Sequence, residues 1–216
     1  KTERWNETIM RKIVLDTDGV ILNFGDNYIS FAEKVLGRQL NHNATKYPLQ
    51  DLLQVNIQEA DYVWEQFNKL NEWERIPPFK DVEKAIEIIN DFKLEVYIVT
   101  SIDEQHKLAR KKNLNSIGLY PKEIICVGAN HGHKNKVITE INPVAFADDR
   151  LDHLHRSQDV EHLVWIDQKQ EQIIDFNDYH ARVSSLFEWT RDFLPAIMNK
   201  EGFKNDTKNI RKKRNL

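Results

Sequence analysis

The stretch IVLDTDGVI sets two carboxylates, Asp16 and Asp18, one residue apart at the end of a short apolar run, with Gly19 directly behind them. A second pair, Asp148 and Asp149, closes the run VAFA. Between the two pairs, the run YIV ends on Thr100 and Ser101, and KNKVITEI opens on Lys134 with Lys136 two places on. Carboxylates so close together repel, and burying them unpaired is costly. A surface turn would resolve one such pair. It does not account for two acidic pairs, two hydroxyls and a lysine, each placed at or just after the end of an apolar run. A hard divalent cation accounts for them, because Mg²⁺ takes oxygen ligands, keeps several waters and bridges to phosphate. A lysine and a threonine hydroxyl add positive charge and a donor. Such a set suits phosphoryl transfer, where positioning and charge stabilisation carry the catalysis.

These groups can meet only if the runs that carry them lie side by side. Apolar runs at 12–15, 94–100, 123–127, 144–147 and 162–166 are mostly continuous rather than alternating, which predicts parallel strands covered on both faces. Helical patterns fall between them. Over 81–92 one face carries Val82, Ala85, Ile86, Ile89 and Phe92, with Asp81 in the N-cap place. Ser101-Ile102-Asp103-Glu104 has the capping-box pattern for the next helix, and further helices are predicted over 134–141 and 183–198. Alternation of this kind predicts an α/β doubly wound core with a parallel, Rossmann-like sheet. Ligands bind such sheets beyond the carboxyl ends of the strands, where the candidate residues would converge.

One segment interrupts the alternation. Residues 23–76 carry helical signals and no strand: 26–36 with Tyr28, Phe31, Val35 and Leu36 in register and Gly37 to end it, then 59–71 with Val63, Phe67 and Leu70. Pro77-Pro78 stops the chain and returns it to the core. The reading is a small helical cap at 23–76 over a core formed by 10–22 and 77–199, followed by a basic, disordered tail at 200–216. Met10, just before the first strand, is the candidate natural start. Phe24, Tyr28, Phe31, Tyr47, Tyr62, Trp64, Phe67, Trp73 and Phe79 give the insertion its aromatic content. Most are expected to form its own core, and a minority to face the sheet and make a pocket for a flat ligand.

LDTDGVI, then YIVTS, then a lysine, then FADD resembles the four motifs of the haloacid dehalogenase superfamily, over residues 13 to 167 and with an insertion where that family places its C1-type helical caps. Receiver domains use a similar set in another order, with the lysine last. Within the superfamily, NEWERIPPFKDVEKAIEIINDFKLEVYIVTS and ADDR are similar to the 5′(3′)-deoxyribonucleotidase branch. The resemblance implies that Asp16 is the nucleophile forming an aspartyl-phosphate, and that Asp18 protonates the leaving oxygen and later deprotonates water. An acid at that second place favours phosphatase over dehalogenase chemistry. It implies Mg²⁺ on Asp16, the main-chain carbonyl of Asp18, Asp149 directly, and Asp148 directly or through water. Gly19, Thr100, Ser101 and Lys134 would surround the substrate phosphate, with Lys136 in reserve for Lys134. The implied activity is Mg²⁺-dependent hydrolysis of a small phosphomonoester such as a nucleoside monophosphate. Alternatives are another phosphometabolite, a nucleic-acid end, or an idle binding protein on the same fold. Idle copies usually lose an acidic group, and all four remain.

Composition bounds the rest. At 216 residues and 40% hydrophobic content the chain suffices for one full core plus a small insert. A formal net charge of −3 gives no bias toward nucleic acid or membrane, so no stable nucleic-acid complex is expected. No apolar run approaches the roughly 20 residues that a bilayer requires, so no membrane partner is expected either. The single cysteine, Cys126, excludes an internal disulfide and suits a reducing, cytoplasmic setting; within IICVG it reads as an inert, buried thiol. His131, His133, His153 and His155 form two His-x-His pairs, but the carboxylates suit Mg²⁺ better, and no metal role is expected for them.

Overall fold

The computed structural model describes residues 11–43, 45–46, 49–128 and 134–199. Met10, Tyr47, His131, His133 and the basic tail lie outside these residues. Six strands form one sheet: β1 (Lys12–Leu15), β2 (Glu95–Thr100), β3 (Glu123–Cys126), β4 (Ala145–Asp148), β5 (His162–Ile166) and β6 (Ala181–Val183). Their order is β3-β2-β1-β4-β5-β6, and every pairing is parallel. The fold is therefore the α/β, Rossmann-like class expected from the alternation of elements.

Continuous apolar strands form here because both faces of the sheet are covered. Along β1, Ile13 and Leu15 belong to one buried cluster and Val14 to the other. On the first face, α4 (Val82–Asp91) and α8 (Leu186–Asp192) supply Ala85, Ile89 and Trp189. On the second, α6 (Lys134–Ile141) and α7 (Leu151–His155) supply Ile138, Ile141, Leu151 and Leu154. Strand alternation of side chains distributes the core over both layers.

Three local expectations differ from the structure. β6 was not expected: it is three residues long with its middle residue exposed, too short to register as a run. It displaces the start of the last helix from 183 to Leu186. There Ser185 Oγ accepts from Glu188 N at 3.1 Å, while the Glu188 carboxylate accepts from Ser184 N at 2.8 Å. Asp81 does not cap α4. It sits in the left-handed region at φ 65° and pairs with Lys84 at 2.7 Å. The helix after β2, α5 (Lys107–Ser116), begins beyond a 3₁₀ turn at Glu104–His106 rather than at Ser101.

Between β1 and α4 the chain builds α1 (Phe24–Leu36), α2 (Leu49–Leu53) and α3 (Ile57–Lys69). Asn23 caps α1 by accepting from Asp26 N, and Gly37 ends it in the left-handed conformation at φ 64°. Asn56 caps α3 through Glu59 N at 2.9 Å. The excursion leaves and returns at one place: Asn23 N donates to Pro77 O at 2.8 Å and Phe79 N to Ile21 O at 2.9 Å. Its ends need no separation, so the helices can be inserted without disturbing the sheet. Phe24, Tyr28, Phe31, Trp64, Phe67 and Trp73 pack ring against ring inside it, with Tyr28 and Phe67 fully buried. Among the described residues, no helix is long and apolar enough to cross a membrane.

Candidate active site

Strand order reverses between β1 and β4, since β2 and β3 lie on one side of β1 and β4 to β6 on the other. A crevice opens at such a switch point beyond the strand ends. Leu15 is registered with Ala147, and Asp16 N donates to Ala147 O at 3.0 Å, so the chain leaves the two strands with Asp16 and Asp148 as neighbours. After Asp16 the chain turns sharply, with Ile21 N and Leu22 N both donating to Thr17 O at 2.8 Å. Gly19 takes φ 83° in that turn, and a β-carbon there would collide with the Asp149 carboxylate. Glycine is required both for the backbone angle and for the close approach. Asp149 is anchored from behind, its carbonyl accepting from Trp165 Nε1 and Gln172 Nε2, each at 3.2 Å.

The four carboxylates are sorted by their partners. Lys134, 2% exposed, places Nζ 2.9 Å from Asp16 Oδ1 and 2.8 Å from Asp148 Oδ2. Asp148 also accepts from Arg150 N at 2.8 Å and lies 3.1 Å from His153 Nδ1. Asp18 turns the other way: both its oxygens take hydrogen bonds from Arg110 Nη2, at 2.9 and 2.7 Å. Asp16, Asp148 and Asp149 each offer an oxygen within 4.8 Å of one another.

Burial pushes the Asp16 carboxyl up to about 6, against the pull of Lys134. Burial, reinforced by Asp148 and Asp16, pushes Asp149 well above the carboxylate range. It would raise Asp148 too, but Lys134 and His153 outweigh it and hold that group low. For Asp18, burial raises the value and Arg110 opposes it. Lys134 shows the converse, since the two carboxylates outweigh its desolvation and hold it charged. The four carboxylates thus meet Lys134 and Arg110 directly, with the Arg150 guanidinium also acting on Asp149, and Asp149 is left with no paired cation that outweighs its burial. The three clustered donors are hard oxygens, which suits an ion such as Mg²⁺.

Asp16, Asp18, Gly19, Thr100, Ser101 and Asp149 all line one cavity of about 730 Å³ at the crevice. Thr100 is buried, its hydroxyl 2.8 Å from that of Thr17. Lys134 is at the carboxylates, whereas Lys136 is exposed on α6. His155 is exposed and bonds to Gln158 at 2.9 Å, away from the cluster. Cys126 is partly buried, which pushes its thiol up to about 11 and leaves it unreactive. Sequence reasoning missed Arg110 and the contact of His153 with Asp148. The same cavity is lined by Phe24, Trp64, Trp73 and Phe79 from the inserted helices and the chain just after them.

No family model matches the sequence, and no curated protein matches it. Solved structures do match in fold. A haloacid dehalogenase-like family hydrolase from Xanthomonas campestris is 13% identical with TM-score 0.57, over 89% of this chain and 98% of that one. An L-2-haloacid dehalogenase is 12% identical with TM-score 0.57, over 86% and 99%. A HAD phosphatase from Thermococcus onnurineus is 16% identical with TM-score 0.51, over 84% and 97%. This chain therefore has the fold found in haloacid dehalogenase-type hydrolases.

Proposed function

We propose that this protein is a haloacid dehalogenase-type phosphomonoester hydrolase that works through an aspartyl-phosphate, with a nucleoside monophosphate as its substrate. The observation that carries this reading is the buried cluster of Asp16, Asp148 and Asp149 around Lys134, with Asp18 lining the same cavity as Asp16 and Asp149. An Asp16 oxygen attacks phosphorus, the ester P–O bond breaks, and Asp18 gives its proton to the leaving oxygen. In the second half, Asp18 takes a proton from water, whose oxygen attacks phosphorus and releases Asp16 and inorganic phosphate. Thr100 and Lys134 donate to the phosphoryl oxygens, and Gly19 and Ser101 line their pocket. Mg²⁺ would be held by Asp16, Asp148, Asp149 and the main-chain carbonyl of Asp18, and when bound supplies charge neutralisation at the phosphate. An acid at position 18 favours ester hydrolysis over dehalogenation. Residues 10–22 and 77–199 would form the catalytic core and 23–76 its C1-type cap, in a cytoplasmic protein.

The nucleotide reading is supported by the aromatic side chains of Phe24, Trp64, Trp73 and Phe79, which line the same cavity of about 730 Å³ as Asp16, Asp18 and Asp149. That size lies within the range of small-ligand sites. A panel of nucleoside monophosphates against sugar and short-chain alkyl phosphates tests it. Nucleotides are expected to be turned over best. A sugar phosphate that far exceeds every nucleotide would replace this substrate class with another phosphometabolite.

Metal dependence has a pH signature. Folding raises Asp16 from 3.8 to about 6, so the metal-free folded state holds extra protons in that window and loses stability as pH rises through it. Asp149 is shifted in the same direction. A cation bound to the ionised carboxylates offsets this cost. Added Mg²⁺ is expected to raise the melting temperature more at pH 7.5 than at pH 5, measured by thermal shift. Equal shifts, or none, would count against a metal at these aspartates.

A further inference from the structure

Arg110 is fully buried on α5, while Leu108, two places earlier, is 66% exposed. The helix turns its leucine out and its arginine in, against hydropathy. Arg110 Nη2 donates to both oxygens of Asp18, and the guanidinium carbon lies 5.3 Å from the centre of the Trp73 ring. Its Nε and Nη1 have no hydrogen-bond partner among the described residues. Desolvating a guanidinium with donors left over is strongly unfavourable, and an apolar side chain of similar volume would serve packing better. Asp18 is also the one carboxylate of the four that stands outside the cluster of Asp16, Asp148 and Asp149. Trp73 belongs to the turn that follows the inserted helices; its indole donates to Asn68 at 2.8 Å and its ring stacks on Phe24. Asp18 and Trp73 both line the cavity, and Arg110 lies behind that wall.

We propose that Arg110 is a positioning residue, which draws the Asp18 carboxylate out of the metal-binding cluster and fixes it, backed by Trp73, toward the part of the cavity that receives the leaving group. The proposal rests on the hydrolase reading above. It separates the roles of the two aspartates of the first motif: Lys134 holds the attacking one, and Arg110 holds the one that gives its proton to the leaving oxygen as the ester P–O bond breaks.

The test compares kcat/KM for an alkyl phosphate, whose leaving oxygen needs a proton, with that for p-nitrophenyl phosphate, whose leaving group departs without one. Arg110→Met is expected to lower the alkyl value roughly 100-fold and the nitrophenyl value only a few-fold, with Arg110→Lys recovering part of the loss. Equal losses on both esters would reduce Arg110 to a structural residue and overturn the proposal. A melting cycle of Arg110→Met, Asp18→Asn and the double variant gives a readout without turnover. The double variant is expected to melt no lower than Asp18→Asn alone, because the uncompensated guanidinium has gone. Strictly additive losses would overturn the pairing. If the wild type hydrolyses neither ester, the hydrolase reading falls, and the melting cycle alone decides whether Arg110 holds Asp18.

Discussion

Asp16→Asn is expected to lower hydrolysis of an aryl phosphate by roughly 1,000-fold or more, since an amide cannot form the acyl-phosphate and the covalent route closes. The fold should survive the change. Asparagine is isosteric, and Lys134 keeps its second partner, Asp148, at 2.8 Å. The replaced carboxyl is one that burial pushes up to about 6, so at pH 8 its ionised form is held against its preference in the metal-free protein. Removing that charge relieves repulsion with Asp148 and Asp18, both of which raise the Asp16 value. The variant should therefore melt at the wild-type temperature or above it in metal-free buffer at pH 8. Loss of function with gain of stability is the signature of a site whose strain serves chemistry. Activity retained within about 10-fold of wild type would exclude Asp16 as nucleophile.

How much of this was legible in the sequence depends on whether a residue's role follows from chain position or from packing. Asp16, Thr100 and Asp148 are placed by where strands end, and strand ends follow from runs such as IVL, YIVT and AFA that must be covered on both faces. The parallel sheet then brings them together at the switch point. Spacing to the second acidic pair favoured Lys134 and kept Lys136 in reserve; the register of α6 turns Ile138 and Lys134 inward and Lys136 outward. Arg110 was not legible. Beside Lys111 and Lys112 it reads as part of a solvated basic face, and nothing local distinguishes the one cation that is buried. Its partner, Asp18, is 92 residues away in the chain. His153 was weighed only as a metal ligand and set aside because the carboxylates suit Mg²⁺ better, whereas its contact runs from α7 back to the Asp148 carboxylate at the end of β4. The strand 181–183 was missed because three residues with the middle one exposed are too short to register as a run.

Lys134→Met is the substitution expected to cost most stability. Both carboxylates that it bridges are at most 6% exposed, and neither can turn to water when the ammonium is lost. Breaking a buried ion pair from one side typically costs roughly 3–5 kcal/mol, which for a chain of this size corresponds to about 10 °C in melting temperature. The loss should depend on pH in a definite direction. Without the lysine, Asp16 and Asp148 both shift upward, so the variant binds more protons on folding than the wild type does. The gap between variant and wild type should narrow as pH falls toward 5 and widen toward 8. Mg²⁺ should protect the variant more than the wild type, because the ion then meets a site carrying one more uncompensated negative charge. On the proposed hydrolase reading, catalysis should not recover with the fold, since the cation assigned to the phosphoryl oxygens is still missing. A melting deficit that ignores both pH and Mg²⁺ would mean that Lys134 is a packing residue, and that the carboxylates do not share its charge.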